Sequence, residues 1–257
     1  MITLTGVIND LHIPWHDHRS VELIIDAFQD IGIHRLIING DLLDFLTLNK
    51  HSKKDPRIHA HLESELNDGL EFLQSIRRKM PDCEIIFIFG NHCDRFDRYL
   101  INDCPVFVNL LRLDKQLRLE ELNIQWIDYP HNYRLEQTNL FFRHSPPSYG
   151  VNGAMTSLLA KLDVSYMYAC THRMQHAVRS GESGQTYHCW FNGWLGSVDR
   201  IRDNELAFKW TKGHQNWQQC ASLITCVDGK DFHVEQSSII SDGDKRSVVF
   251  HGALYVN

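Results

Sequence analysis

Three short clusters in this chain carry the residue types from which a metal site is built. They are Asn9-Asp10-Leu11-His12, Gly40-Asp41-Leu42-Leu43-Asp44 and Gly90-Asn91-His92-Cys93-Asp94. Two later histidines stand in similar surroundings, His144 after Phe141-Phe142-Arg143 and His172 in Ala169-Cys170-Thr171-His172-Arg173. Asp10, His12, Asp41, Asn91, His144 and His172 together offer hard oxygen and borderline nitrogen donors. That mixture suits Mn, Fe, Zn or Ni better than a calcium cage. Each cluster taken singly is an ordinary polar loop; the set is what signals chemistry.

The elements flanking these clusters explain how they would meet. Apolar runs at 4–8, 35–39 and 84–89 read as strands, and each ends at one of the clusters. Ligands collect at the carboxyl ends of strands in α/β sheets, so three such ends can face one point. Gly40 and Gly90 would permit a sharp exit from strand to loop. Between the strands, 20–31 repeats apolar residues at helical spacing with Ser20 as candidate N-cap, and 59–80 reads as a long amphipathic helix stopped by Pro81. Residues 96–122 read as helix broken by Pro105. Short strands follow at 124–127, 133–135, 140–143 and 165–169, with a helix near 152–162, and the chain is mostly β from about 177. Alternating strands and helices define a layered α/β class. No repeat or linker divides the chain, so residues 1–257 are expected to form one domain. The segments 50–80 and 96–122 are expected to supply a small helical cap.

Composition sets limits. At 257 residues and 43% hydrophobic content the chain can bury a core without a metal or disulfide staple. A net charge of −6 argues against a general attraction to nucleic acid. A basic run, Lys50, His51, Lys53, Lys54 and Arg57, is the local exception. No stretch reaches the length of a membrane span, and the first residues lack a signal peptide's charged head, so a cytoplasmic location is expected. The seven cysteines, odd in number and without a CxxC pair, are expected as thiols.

In order and context, the series DLH, GDLLD, GNH, FFRH and THR resembles the calcineurin-like metallophosphoesterases across residues 10–172, about two thirds of the chain. The stretches HIPWHD, GNHCDRFDRYL and THR are similar to small members from phages and prokaryotes. The resemblance implies a four-layer α-β-β-α sandwich with two mixed sheets between helices, and two divalent metal ions as cofactors. It implies that Asp10, His12 and His172 hold the first metal, that Asp41 bridges, and that Asn91 and His144 hold the second. A hydroxide between the metals would attack phosphorus. His92 would act as the general acid, with Asp44 orienting it and favouring its protonated form. Arg95 and Asn91 are candidate phosphate contacts, Arg95 with a surface ion pair as the competing reading.

One position departs from the pattern. Where the family carries a first His in Gly-His-x-His, this chain has Cys170. Three readings stay open: Cys170 ligates as a thiolate, which a metal would deprotonate; it stands by and leaves the second metal short; or His176 or a water fills the place.

The function expected is hydrolysis of a phosphate mono- or diester on a phosphorylated small molecule, nucleotide or nucleic-acid-derived substrate. A DNA exo- or endonuclease of the repair type is the alternative enzyme, with protein phosphatase activity a third possibility that no residue favours. A non-catalytic scaffold keeping the fold is the alternative class. Trp15, His16 and His18 are candidates for the rim of the site. The clusters at 192–194 and 214–217 are expected to close the second sheet rather than border the pocket.

Overall fold

A computed structural model describes residues 1–48, 61–147, 154–182, 184–202 and 216–257. The basic run 50–57 and His214 lie outside the described residues. The strands are β1 Ile2–Ile8, β2 Arg35–Asn39, β3 Glu84–Ile88, β4 Ile124–Ile127, β5 Tyr133–Arg134, β6 Leu140–Arg143, β7 Ser165–Tyr168, β8 Met174–Ser180, β9 Thr186–Asn192, β10 Cys220–Val227, β11 Asp231–Ser238, β12 Ile240–Asp242, β13 Lys245–Phe250 and β14 Ala253–Val256. The long helices are α1 His18–Ile31, α2 Leu62–Lys79 and α3 Cys93–Asp103.

Two mixed sheets lie face to face, a six-stranded one in the order β11-β10-β1-β2-β3-β4 and a five-stranded one in the order β5-β6-β7-β9-β8. Strand periodicity shows why both faces of the first sheet are covered. Ile8, Leu36, Ile38, Ile85 and Phe87 pack on one side with α1 and α2, through residues such as Ile24, Phe28, Leu73 and Ile76. Their neighbours Val7, Ile37, Ile86 and Ile88 point the other way and pack against Leu140, Phe142, Met167 and Trp190 of the second sheet. Beyond the second sheet, Tyr168, Cys189 and Phe191 pack with Leu158 and Leu159 of the helix Ala154–Leu159. The result is the α-β-β-α layering expected, because alternate side chains on buried strands must find apolar cover on both faces.

Two features differ from the sequence reading. Helix α1 begins at His18, and its N-cap is Asp17, whose carboxylate accepts the Ser20 N–H at 3.1 Å; Ser20 sits one turn in. The strands from β10 onward do not join the second sheet. Strands β10 and β11 extend the first sheet antiparallel beside β1, and β12–β14 form a separate three-stranded sheet whose Phe250 packs on Phe28 of α1.

Candidate metal centre

The loops leaving β1, β2, β3, β6 and β7 converge at one end of the sandwich. The strands β1–β2–β3 run parallel, as do β6–β7, so their carboxyl ends open on the same side. Backbone hydrogen bonds tie the first two loops together: Asp10 N–H to Gly40 O at 3.1 Å, His12 N–H to Asp41 O at 3.0 Å, and Ile13 N–H to Leu42 O at 2.8 Å. The resulting path requires left-handed backbone at Asp10 (φ 49), His12 (φ 52), Asp41 (φ 45), Cys170 (φ 65) and His172 (φ 57). Side chains other than glycine visit that region at a cost, and Asp is among the few that tolerate it.

The two glycines serve different purposes. Gly40 has φ 92, and a Cβ there would lie 2.0 Å from His144 Nδ1. Gly90 needs no unusual φ; a Cβ on it would lie 2.1 Å from Asp41 Oδ1. Gly90 therefore makes room for the Asp41 carboxylate, where the sequence suggested only a sharp exit from strand to loop.

The two oxygens of the buried Asp10 are treated differently. Oδ2 accepts from Asn9 Nδ2 at 2.7 Å and from the Cys170 N–H at 2.9 Å, a bond that joins the two sheets at the site. Oδ1 has no hydrogen-bond partner, yet three imidazole nitrogens surround it: His172 Nε2 at 3.4 Å, His12 Nε2 at 3.6 Å and His144 Nε2 at 3.9 Å. His12 Nε2 and His172 Nε2 are 3.1 Å apart. His144 Nδ1 lies 2.8 Å from the Asn39 carbonyl, which can only accept, so Nδ1 carries a proton and Nε2 is left facing Asp10 and, at 3.0 Å, Asp41 Oδ2. The His144 Nε2 contact lacks hydrogen-bond geometry. A buried oxygen and a buried nitrogen without partners, each aimed at the same space, fit a divalent cation.

Electrostatics agree. Burial disfavours ionised Asp10, but His144 and His172 outweigh it and hold the carboxyl well below its ordinary range. Burial also opposes the charged form of His12, yet Asp10 and Asp44 overcome it and push it up to about 10. Carboxylates held ionised beside buried imidazoles leave a field that favours added positive charge. Three overlapping sets have the spacing to hold an ion: Asp10, His12 and His172; Asp10, Asp41 and His144; and His12, Asp44 and His92.

Asn91 and Cys170 meet beside these sets. Asn91 Oδ1 accepts from Ser145 Oγ at 3.3 Å and lies 3.1 Å from Cys170 Sγ. His176, the other candidate for the open place, points elsewhere, with its Nε2 3.0 Å from His188 Nδ1 on β9. His92 donates its backbone N–H to Asp41 Oδ1 at 2.8 Å, and its Nδ1 lies 2.7 Å from the Asp44 carbonyl. The Asp44 carboxylate is nearer to His12 Nδ1, at 3.0 Å, than to His92 Nδ1, at 3.4 Å. Asp44 thus orients His12 with its carboxylate and His92 mainly with its main chain. Arg95 donates to the Asp44 carbonyl at 3.1 Å and from Nη2 to His92 Nε2 at 2.9 Å. The surface ion pair in this turn is Arg98 with Asp94, at 3.7 Å.

Sequence reasoning missed several supporting residues. Asn192 donates to Asn9 Oδ1 at 2.7 Å, so it sets the side chain that orients Asp10. The buried Glu65 of α2 accepts the Phe45 N–H and fixes the loop carrying Asp44. Trp194 stacks on His172 with ring centroids 5.0 Å apart, and Trp217 meets the same ring edge-on at 4.6 Å. Trp15, like Trp217, packs against the cluster of Trp194 and Ile201, while His16 is buried against His18. The Asn192–Gly193–Trp194 cluster, which starts at the last residue of β9, and Trp217 therefore border the site. A polar-aromatic cluster just after a strand was the available signal.

The layering, with ligand clusters at the strand ends, is the architecture that a resemblance to the calcineurin-like metallophosphoesterases implies. No family model matches the sequence, and no curated protein matches it. Solved structures with a similar fold include vacuolar protein sorting 29 from Cryptosporidium parvum (10% identity, covering 100% of this chain and 98% of that one, TM-score 0.49). Another is YfcE, a phosphoesterase from E. coli (15% identity, 96% and 92%, TM-score 0.42). A third is the nuclease MPE of Pseudomonas putida (16% identity, 86% and 83%, TM-score 0.37). These likenesses are remote, and the functional reading rests on the chain's own residues. Among the described residues, no helix is long and apolar enough to cross a membrane.

Proposed function

We propose that this chain hydrolyses phosphate mono- or diesters with two bound divalent metal ions, on a nucleotide or nucleic-acid-derived substrate. The observation that carries the reading is Asp10 Oδ1, buried and unpartnered among three imidazole nitrogens. Asp10, His12 and His172 would hold one ion, and Asn91, His144 and Cys170 the other, with Asp41 placed to serve both. When bound, the ions would supply Lewis acidity that activates water and neutralises charge on the phosphoryl group.

The chain's own residues do the rest. Asp44 holds His12 through Nδ1, which keeps Nε2 directed at the ligand set. His144 is fixed in the same way by the Asn39 carbonyl. His92 is anchored at Nδ1, which leaves Nε2 as the atom that would carry a proton to the leaving oxygen. A guanidinium has no acceptor, so Arg95 donates to that nitrogen here. For His92 to act as an acid, Arg95 must turn away, and an incoming phosphate is a natural partner to draw it. Trp217, half-buried beside His172, offers a ring on which a base could stack, and the buried Trp194 supports His172 by stacking on it.

The test is turnover of nitrophenyl phosphate mono- and diesters and of single- and double-stranded DNA by Mn- and Zn-loaded protein, beside His92→Asn. Turnover above the variant supports the reading, and the preferred substrate separates phosphatase from nuclease. A metal-loaded protein no faster than its His92→Asn form on every substrate would point instead to a non-catalytic scaffold.

A further inference from the structure

Away from the metal centre, the mouth between the two sheets opens along their edge strands. Strand β8 is the last strand of the five-stranded sheet and β11 the last of the six-stranded one. Between them lies a groove of about 890 Å³, within the size range of small-molecule sites.

One wall of this groove is unusually flat. His176 Nε2 and His188 Nδ1 are 3.0 Å apart, and the two rings are within 5° of parallel. Their centroids, 5.3 Å apart, exceed the nitrogen–nitrogen distance by little more than the two centre-to-nitrogen radii. The imidazoles therefore lie edge to edge in one plane, one donating its N–H to the other's lone pair. Trp190 runs parallel to both, within 1° of His176 and 4° of His188, with centroids 4.8 and 4.9 Å away. Those distances are too short for rings side by side, so the indole stacks on the pair. Trp190 is 4% exposed and anchored in the core between the sheets. The pair forms a supported aromatic platform wider than either ring. Burial lowers the pKa of both histidines, which favours their neutral form.

The rest of the groove suits a planar ligand with a mixed hydrogen-bonding edge. Gln137, Asn139 and Gln185 each offer an amide donor and an amide acceptor, and Phe232 faces from β11. Charge is balanced, since Lys230 stands next to Asp231, so phosphate is not what the walls select. Lone pairs opposed in line do not converge on a shared ion, and this pair belongs to none of the metal-spaced groups among the described residues.

We propose that this groove is a second ligand site, separate from the metal centre, that binds a nucleobase by stacking it on the His176–His188 plane. The base can come from a free nucleoside or nucleotide, or from a single-stranded nucleic acid. The site does not depend on the phosphoesterase reading.

Calorimetric titration of the full chain with adenosine, cytidine and a short single-stranded oligonucleotide, with a chelator present, tests it. Nucleosides lack phosphate and so are poor probes of the metal centre. Saturable nucleoside binding is expected, with Kd rising at least about tenfold in His176→Ala and His188→Ala, since a lost base stack has that size of effect. Turnover of a nitrophenyl phosphate should be unchanged in both variants. Because His176 is exposed, its truncation leaves the core intact, and circular dichroism checks the fold. Tighter binding of the oligonucleotide than of adenosine would identify nucleic acid as the source; equal or weaker binding would identify the nucleoside or nucleotide. Absence of nucleoside binding, or affinities unchanged in both variants, overturns the proposal. So does zinc or nickel binding that both variants abolish, which would make the pair a metal site.

Discussion

Cys170 Sγ lies 3.1 Å from Asn91 Oδ1, and its backbone N–H donates to Asp10 Oδ2 at 2.9 Å. The same residue thus touches a proposed ligand of each metal. His176, the rival for this place, is committed to His188 and Trp190. Replacing Cys170 by Ala is expected to lower occupancy of one metal site and to cut activity at least about tenfold. Metal content by mass spectrometry, measured beside Cys170→His, checks this. The parent should prefer Zn or Fe, and the His variant should accept Mn more readily, because a thiolate is the softer ligand. Full occupancy in Cys170→Ala would remove the thiolate from the ligand set.

Arg95 and His92 should separate kinetically. His92→Asn is expected to lower kcat by about 10²–10⁴-fold, the usual size of a general acid's contribution. Arg95→Ala should act chiefly on KM, raising it about tenfold, because a charge-assisted hydrogen bond to phosphate is lost. Steady-state kinetics on one nitrophenyl ester reads both. An Arg95→Ala effect confined to kcat would mean that the guanidinium serves His92 and not the substrate.

Gly90→Ala is expected to abolish metal binding while leaving secondary structure in place. The added Cβ would fall 2.1 Å from Asp41 Oδ1, and Asp41 has little freedom because its Oδ1 also takes the His92 N–H. Circular dichroism with metal analysis tests the separation. Retained metal with normal activity would show that the Gly90 backbone can shift without harm.

Asp17 links α1 to the C-terminal sheet, and its contribution should depend on pH. Burial alone would raise its pKa, but hydrogen bonds from Gln219, the Ser20 N–H and Arg246 outweigh that and lower it. A folded pKa below the unfolded one contributes stability above the unfolded value, near 3.8, and that stability is lost as pH falls through the folded value. Asp17→Ala is expected to cost about 1–2 kcal/mol at neutral pH, and the gap from the parent should close under acid conditions. Melting temperatures across pH measure it. A gap that persists in strong acid would assign the loss to packing.

Much of the fold was legible because strand alternation and helix spacing are local. The runs 35–39 and 124–127 match β2 and β4. The candidate site was legible because Asp10, Asp41, Asn91 and His144 each follow closely on an apolar strand. What stayed hidden depends on distant partners. Asn192 matters through Asn9, whose position 183 residues earlier no local pattern reveals. Trp194 and Trp217 read as loop residues until the chain folds them onto His172. The roles of Asp44 divide between carboxylate and carbonyl, and residue type alone cannot show which faces which histidine.

The left-handed backbone at Asp10, His12, Asp41, Cys170 and His172 carries a consequence for the chain's stability. Such conformations cost on the order of 1 kcal/mol or more apiece, against a total stability of about 5–15 kcal/mol. Gly or Asn at these positions would relieve that cost and raise heat resistance. A library of this chain selected only for thermostability should therefore lose Asp, His and Cys at these positions before it alters the surrounding core.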